Sequence, residues 1–98
     1  MDLRSVTHKD FEPLVNQRFR IDGEPGAELE LVSVDVRARS ASSVQRRQAF
    51  ALLFRGPKTR LLSQRIYALG NESVERLEIF LVPVGEEEDA FLYEAVFT

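Results

Sequence analysis

Apolar and polar positions along the chain change period near residue 16, and that change separates a short helix from a run of strands. Phe11, Leu14 and Val15 fall at i, i+3 and i+4, on one helical face. Thr7, followed three residues on by Asp10, approximates a capping box. It places a hydroxyl to accept an orphan amide and a carboxylate near the positive helix end. Pro13 lacks an N–H and must sit in a first turn or end the helix, so one to two turns are expected.

From Arg18 onward the period is two. Arg18-Phe19-Arg20-Ile21-Asp22 alternates, and Gly23-Glu24-Pro25-Gly26 reads as a turn. In Glu28–Leu31 the apolar residues have odd numbers, whereas in Val32–Arg37 they have even numbers. A one-residue slip of phase would turn half of the strand's apolar set toward water, so a β-bulge or sharp bend is expected near 31–32. Residues 39–48 form a polar, Ser-rich connection. Ala49–Phe54 is apolar at both parities, which predicts a central strand covered on both sides and ended by Arg55-Gly56-Pro57. Further strands are predicted over Gln64–Leu69, ended by Gly70-Asn71, over Leu77–Val84, and over Ala90–Phe97 after a Gly85–Asp89 loop.

Six strands and one short N-terminal helix predict a mainly β fold, a curved six-stranded antiparallel sheet or small barrel. No 20–50-residue repeat is visible, which argues against a solenoid. At 98 residues the chain 1–98 reads as a single domain with no room for a second core, and its 44% apolar content with seven Phe supplies one core. The absence of cysteine removes disulfides, thiolate nucleophiles and Cys-based metal sites. The longest apolar stretch has six residues, far short of a membrane helix, and Met1–Val6 carries neither a signal-peptide core nor a myristoylation glycine. A cytoplasmic location without membrane contact is the expectation.

Charge changes this picture more than composition does. The net charge of −3 conceals 4 basic and 8 acidic residues in 1–35, 8 basic and no acidic in 36–71, and 1 basic and 8 acidic in 72–98. Cross-strand Arg–Glu pairs on the solvent face are the plain reading, each contributing about 0–1 kcal/mol. The sharper reading groups Arg46, Arg47, Lys58 and Arg60, all in loops, as an interaction site for an anionic partner. A third has the basic loops of one copy meeting the Glu86–Asp89 tip of another. Nucleic acid is disfavoured by a pI near 5.2 and by the lack of an RNP-like aromatic pattern or helix-turn-helix.

No constellation for catalysis emerges. His8 stands alone at a helix start with no nucleophile elbow nearby, and Glu86-Glu87-Glu88-Asp89 lacks calcium-loop spacing and reads as a solvated hairpin tip. Gly23–Gly26 lacks the Gly-Lys-Ser/Thr ending of a phosphate loop. Tyr67 and Tyr93 lie in period-two apolar surroundings and read as core residues whose hydroxyls find a partner. No catalytic residue, metal ligand or cofactor is predicted.

Phe50–Pro57, Leu62–Tyr67, Phe80–Gly85 and Tyr93–Phe97, with the opening Thr7-His8-Lys9-Asp10-Phe11 and Leu14-Val15, resemble a family of bacterial domains of about a hundred residues, close to the 98 here, classed only as a domain of unknown function. The resemblance spans nearly the whole chain, and its motifs are strands and turns rather than chemistry. It implies relatives encoded beside phage-tail-collar-like proteins, and so an accessory role in such an assembly. Relatives often carry Gly after the motif Gln, where this chain has Arg65. The expected function is therefore a non-enzymatic interaction or structural module whose partner is a protein, a second copy or a tail-collar-like one. The alternatives are a small-ligand-binding barrel with a cavity lined by Tyr67, Tyr93 or Phe91, and a polyanion-binding domain.

Overall fold

The structure is a computed structural model and describes residues 3–37 and 48–98. Helix α1 spans His8–Phe11, and strands β1 to β6 span Arg18–Ile21, Glu28–Val36, Phe50–Pro57, Arg65–Gly70, Leu77–Glu86 and Ala90–Phe97. They close into an antiparallel barrel in the order β1-β2-β3-β6-β5-β4, with β4 returning to β1. Its two halves are topologically alike. Each is a three-stranded meander, β1-β2-β3 or β4-β5-β6, joined to the other through β3–β6 and β1–β4. The chain shows no matching sequence repeat, because pairing order depends on alternation and turns rather than on residue identity.

The phase flip in β2 is a bulge at the expected place. Leu31 pairs with Phe54 and Ser33 with Leu53, which leaves Val32 as the extra residue. A second bulge lies in β5, where Pro83 pairs with Tyr93 and Gly85 with Leu92. Gly85 therefore belongs to the strand rather than to the following loop, and β5 runs two residues beyond Val84. β3 likewise continues through Gly56 and Pro57, paired with Phe91 and Ala90. Pro57 is tolerated because it is the strand's last residue, where a missing N–H costs least. The two-sided cover expected for β3 is partial. Phe50, Leu52 and Phe54 point into the barrel and Ala51 is buried, but Leu53 and Arg55 are half-buried.

Six strands enclose a narrow interior that side chains fill. Phe19, Leu31, Phe54, Leu81 and Tyr93 are almost wholly buried there, and no buried side-chain polar atom among the described residues lacks a partner. Helix α1 closes one end. The Asp10 carboxylate accepts the Thr7 N–H at 2.8 Å, and Pro13 sits in the short 3-10 turn Glu12–Leu14 that follows. Phe11 then packs between Phe50 and Phe97, with ring centroids 5.7 and 5.5 Å away, while Phe50 and Phe97 stack at 4.7 Å. At the β1–β2 hairpin Gly23 and Gly26 adopt φ of 81° and 83°, so the two-glycine segment is the turn its sequence announces.

The barrel's seam is short. β1 and β4 pair only at Arg20–Gly70 and Ile21–Leu69. Asn71 reinforces the seam: its Nδ2 donates to Gln17 Oε1 and to the Arg18 carbonyl, and its Oδ1 accepts the Ser73 and Val74 amides. No helix among the described residues is long and apolar enough to cross a membrane.

Candidate functional site

Among the described residues, each cation of the basic middle block meets an acid from a flanking block. Arg37 reaches Glu94 at 3.3 Å, Arg55 reaches Asp89 at 2.9 Å, and Lys58 reaches Glu86 at 2.7 Å. Arg60 and Arg65 converge on Glu24 at 3.0 and 3.7 Å. The segregation seen along the chain is thus the imprint of strand pairing, in which the middle must lie beside its flanks. Lys58 and Arg60 are not neighbours in function: one binds the β5–β6 hairpin, the other the β1–β2 turn. Lys58 also donates to the Glu87 carbonyl and lies 5.0 Å from the Phe91 ring centroid. Arg46 and Arg47 lie outside the described residues. The hairpin tip Glu86–Asp89 is held by Arg55 and Lys58 of its own chain. Arg65 stacks over Tyr67 at 4.8 Å.

The two tyrosines are structural anchors. The Leu62 N–H donates to the buried Tyr93 hydroxyl at 2.9 Å, and the Tyr67 hydroxyl donates to the Ser63 carbonyl at 2.7 Å. Together they fix the crossover between β3 and β4 against the barrel. Replacing Tyr93 with Phe strands the Leu62 amide and is expected to cost about 1–3 kcal/mol, measured by urea denaturation. Burial raises the Tyr93 phenol, only partly offset by the Leu62 hydrogen bond, with a smaller upward contribution from Tyr67. The unfolded phenol ionises near about 10, and the folded one holds its proton to higher pH. This contribution to stability is therefore complete below about pH 10 and is lost as pH rises above it. The urea midpoint of the wild type should fall across that window more than that of Tyr93→Phe.

His8 Nδ1 lies 3.1 Å from Glu12 Oε2 and its ring meets Phe50 edge-on at 6.4 Å, a helix-surface arrangement with no nucleophile in it. No group of three His, Asp or Glu side chains among the described residues could hold a metal ion.

The outer surface of the barrel, not its loops, carries the feature that needs explanation. Where β1 and β2 pair, the outward positions are charged, with Arg18 opposite Glu30 and Arg20 opposite Glu28. Those of β4, β5 and β6 combine charged residues, Arg65, Glu78 and Glu94, with a row of large apolar ones. Ile66 pairs with Phe80, and continuing the Val82–Glu94 register by two residues sets Val96 on the other side of Phe80. These three are 64%, 49% and 54% exposed and line one open groove of about 490 Å³ with Leu3, Glu78 and Thr98. Burying such side chains would gain about 25 cal/mol per Å² of apolar surface removed from water. Its borders are ion pairs, Arg76 with Glu78 at 2.9 Å and Arg37 with Glu94 at 3.3 Å. A signal for it exists in the sequence. Leu77-Glu78-Ile79-Phe80-Leu81-Val82 carries apolar residues at both parities, and one of those parities must face outward.

A family model described as a domain of unknown function, DUF6916, matches residues 6–97. No curated protein and no solved structure matches the chain.

Proposed function

Because the chain belongs to the DUF6916 family of domains of unknown function, we propose its role from its own geometry: a non-enzymatic interaction module that docks a protein through the outer face of β4, β5 and β6. The observation that carries this reading is the exposed row Ile66–Phe80–Val96, where the outward β1–β2 pairs are charged instead. A filled interior supports it too, since Tyr93 and Phe54 occupy the space that the ligand-binding alternative requires, and the Tyr93 hydroxyl is engaged by Leu62. The polyanion alternative draws less support, because Lys58 and Arg60 already meet Glu86 and Glu24. In its finer form the proposal makes the partner a tail-collar-like protein and the chain an accessory of that assembly, as the family resemblance implies.

The test compares capture of proteins from the native host by the wild type, by Phe80→Glu and by a Lys58→Glu, Arg60→Glu double variant. The expected result is a partner lost by at least about tenfold in the first variant and retained in the second. Loss in the second alone would replace the docking face with the cationic loops.

A further inference from the structure

We propose that Asp22-Gly23, in the turn between β1 and β2, is a site of spontaneous backbone isomerisation, at which the folded chain converts aspartate into isoaspartate. The sequence holds one Asp-Gly pair and no Asn-Gly pair. Glycine matters here because it has no Cβ to shield its own amide nitrogen from the preceding side chain. A fold can still hide such a pair, and this one leaves it open. The Asp22 side chain is 73% exposed, and its ion pair with Arg76 is loose at 3.7 Å. The space beside Gly23 is empty out to 4 Å, and among the described residues its N–H has no hydrogen-bond partner. Gly23 sits at φ of 81°, and as a glycine it can turn its peptide unit with little steric penalty. Nucleophile and carboxyl are therefore both free to meet.

The step balances on water alone. The Gly23 nitrogen loses its proton and bonds to Asp22 Cγ, and a carboxyl oxygen departs as water, which closes a succinimide ring. Water then opens the ring at either carbonyl. Opening at Cγ restores aspartate. Opening at the former main-chain carbonyl breaks its bond to the Gly23 nitrogen, so the chain runs on through Cγ and gains a methylene. That methylene enters between two anchored residues. The Asp22 N–H donates to the Ala68 carbonyl at 2.9 Å, and the Glu24 N–H to the Ile21 carbonyl at 3.1 Å. Glu24 in turn holds Arg60 at 3.0 Å and Arg65 at 3.7 Å, which ties the turn to the crossover between β3 and β4. A longer path from Ile21 to Glu24 breaks the backbone bond and carries the carboxylate off the two arginines. The barrel is thereby loosened beside its seam, where β1 and β4 share only two register pairs.

Peptide mapping of the folded wild type, incubated for weeks at physiological temperature and pH, tests this. The tryptic peptide of residues 21–37 should divide into two forms of identical mass, with a form lacking one water between them in time. Its conversion in the folded chain should run within about tenfold of the rate in a free peptide of residues 18–28, because an open turn does not screen the pair. Asp22→Glu keeps a carboxylate for Arg76 but needs a larger ring that closes more slowly, and it should show no second form. The isomerised fraction of the aged wild type should unfold at a midpoint lower by at least about 4 °C, whereas aged Asp22→Glu should keep a single midpoint. A folded wild type whose peptide stays single while the free peptide converts overturns the proposal. So does a second form that appears equally in Asp22→Glu.

Discussion

Replacing Phe50 with Ala is expected to cost about 3–5 kcal/mol of folding stability, which lowers the thermal midpoint by at least about 12 °C for a domain of this size. Phe50 is fully buried and joins four things at once. It stacks on Phe97 at 4.7 Å, receives Phe11 at 5.7 Å, meets the His8 ring at 6.4 Å, and pairs through its backbone with Val36 and Phe97. Removing the ring opens a cavity under α1, so the helix loses the contact that holds it across the barrel end. Helix α1 has four residues and cannot stand alone, since isolated helices this short do not form in water. Amide exchange should therefore show residues 8–14 opening first in the variant. A loss under about 1 kcal/mol would mean that α1 closes the barrel by some other contact.

The second large effect is expected at the seam. A Cβ on Gly70 would lie 2.7 Å from the Glu75 carbonyl oxygen and 3.5 Å from that of Val74. Both are backbone atoms of the turn that Asn71 organises, so neither can swing aside as a side chain would. Gly70→Ala should cost about 1–3 kcal/mol, measured by urea denaturation, because the shift propagates to the only two register pairs joining β4 to β1. The conservative change at the neighbouring strand position, Leu69→Met, keeps volume and should cost less than about 1.5 kcal/mol. Equal losses for the two would place the sensitivity in core volume rather than in backbone approach at the seam.

These two positions also show what is legible in a sequence of this kind. Period-two alternation locates β1 and β2, apolar runs bounded by turn residues locate the later strands, and the phase flip at Leu31-Val32 places the β2 bulge near 31–32, because a buried face fixes the phase of its strand. Closure is another matter. Gly70-Asn71 reads as a strand terminator, and nothing local tells that Gly70 pairs with Arg20 fifty residues earlier in the chain. Local signals also stop β3 and β5 too early, for a related reason. Gly56, Pro57 and Gly85 look like turn residues, yet partners in β6 hold each of them in a strand.

The candidate site is legible in part. The segregated charge correctly announces that the basic middle lies beside the acidic ends, but an electrostatic pattern along a chain does not say whether the pairs form within it. Here Glu24, with its side chain only 16% exposed, collects Arg60 and Arg65, and the Glu86–Asp89 tip collects Arg55 and Lys58. The apolar row escapes notice for the opposite reason. Ile66, Phe80 and Val96 each sit in a strand rich in apolar residues and look like core until the register turns them outward. Tyr67 and Tyr93 have the role their surroundings suggest, as buried residues with engaged hydroxyls.

The central claim is that this chain acts through the outer face of β4–β6 and not through its charged loops. Backbone amide shifts of the isotope-labelled chain, followed as native-host extract is added, test it directly. Perturbations centred on Ile66, Phe80 and Val96, and abolished by Phe80→Glu in a chain that remains folded, are the predicted result. Perturbations centred on Lys58 and Arg60, with the Ile66–Phe80–Val96 row unchanged, would contradict it.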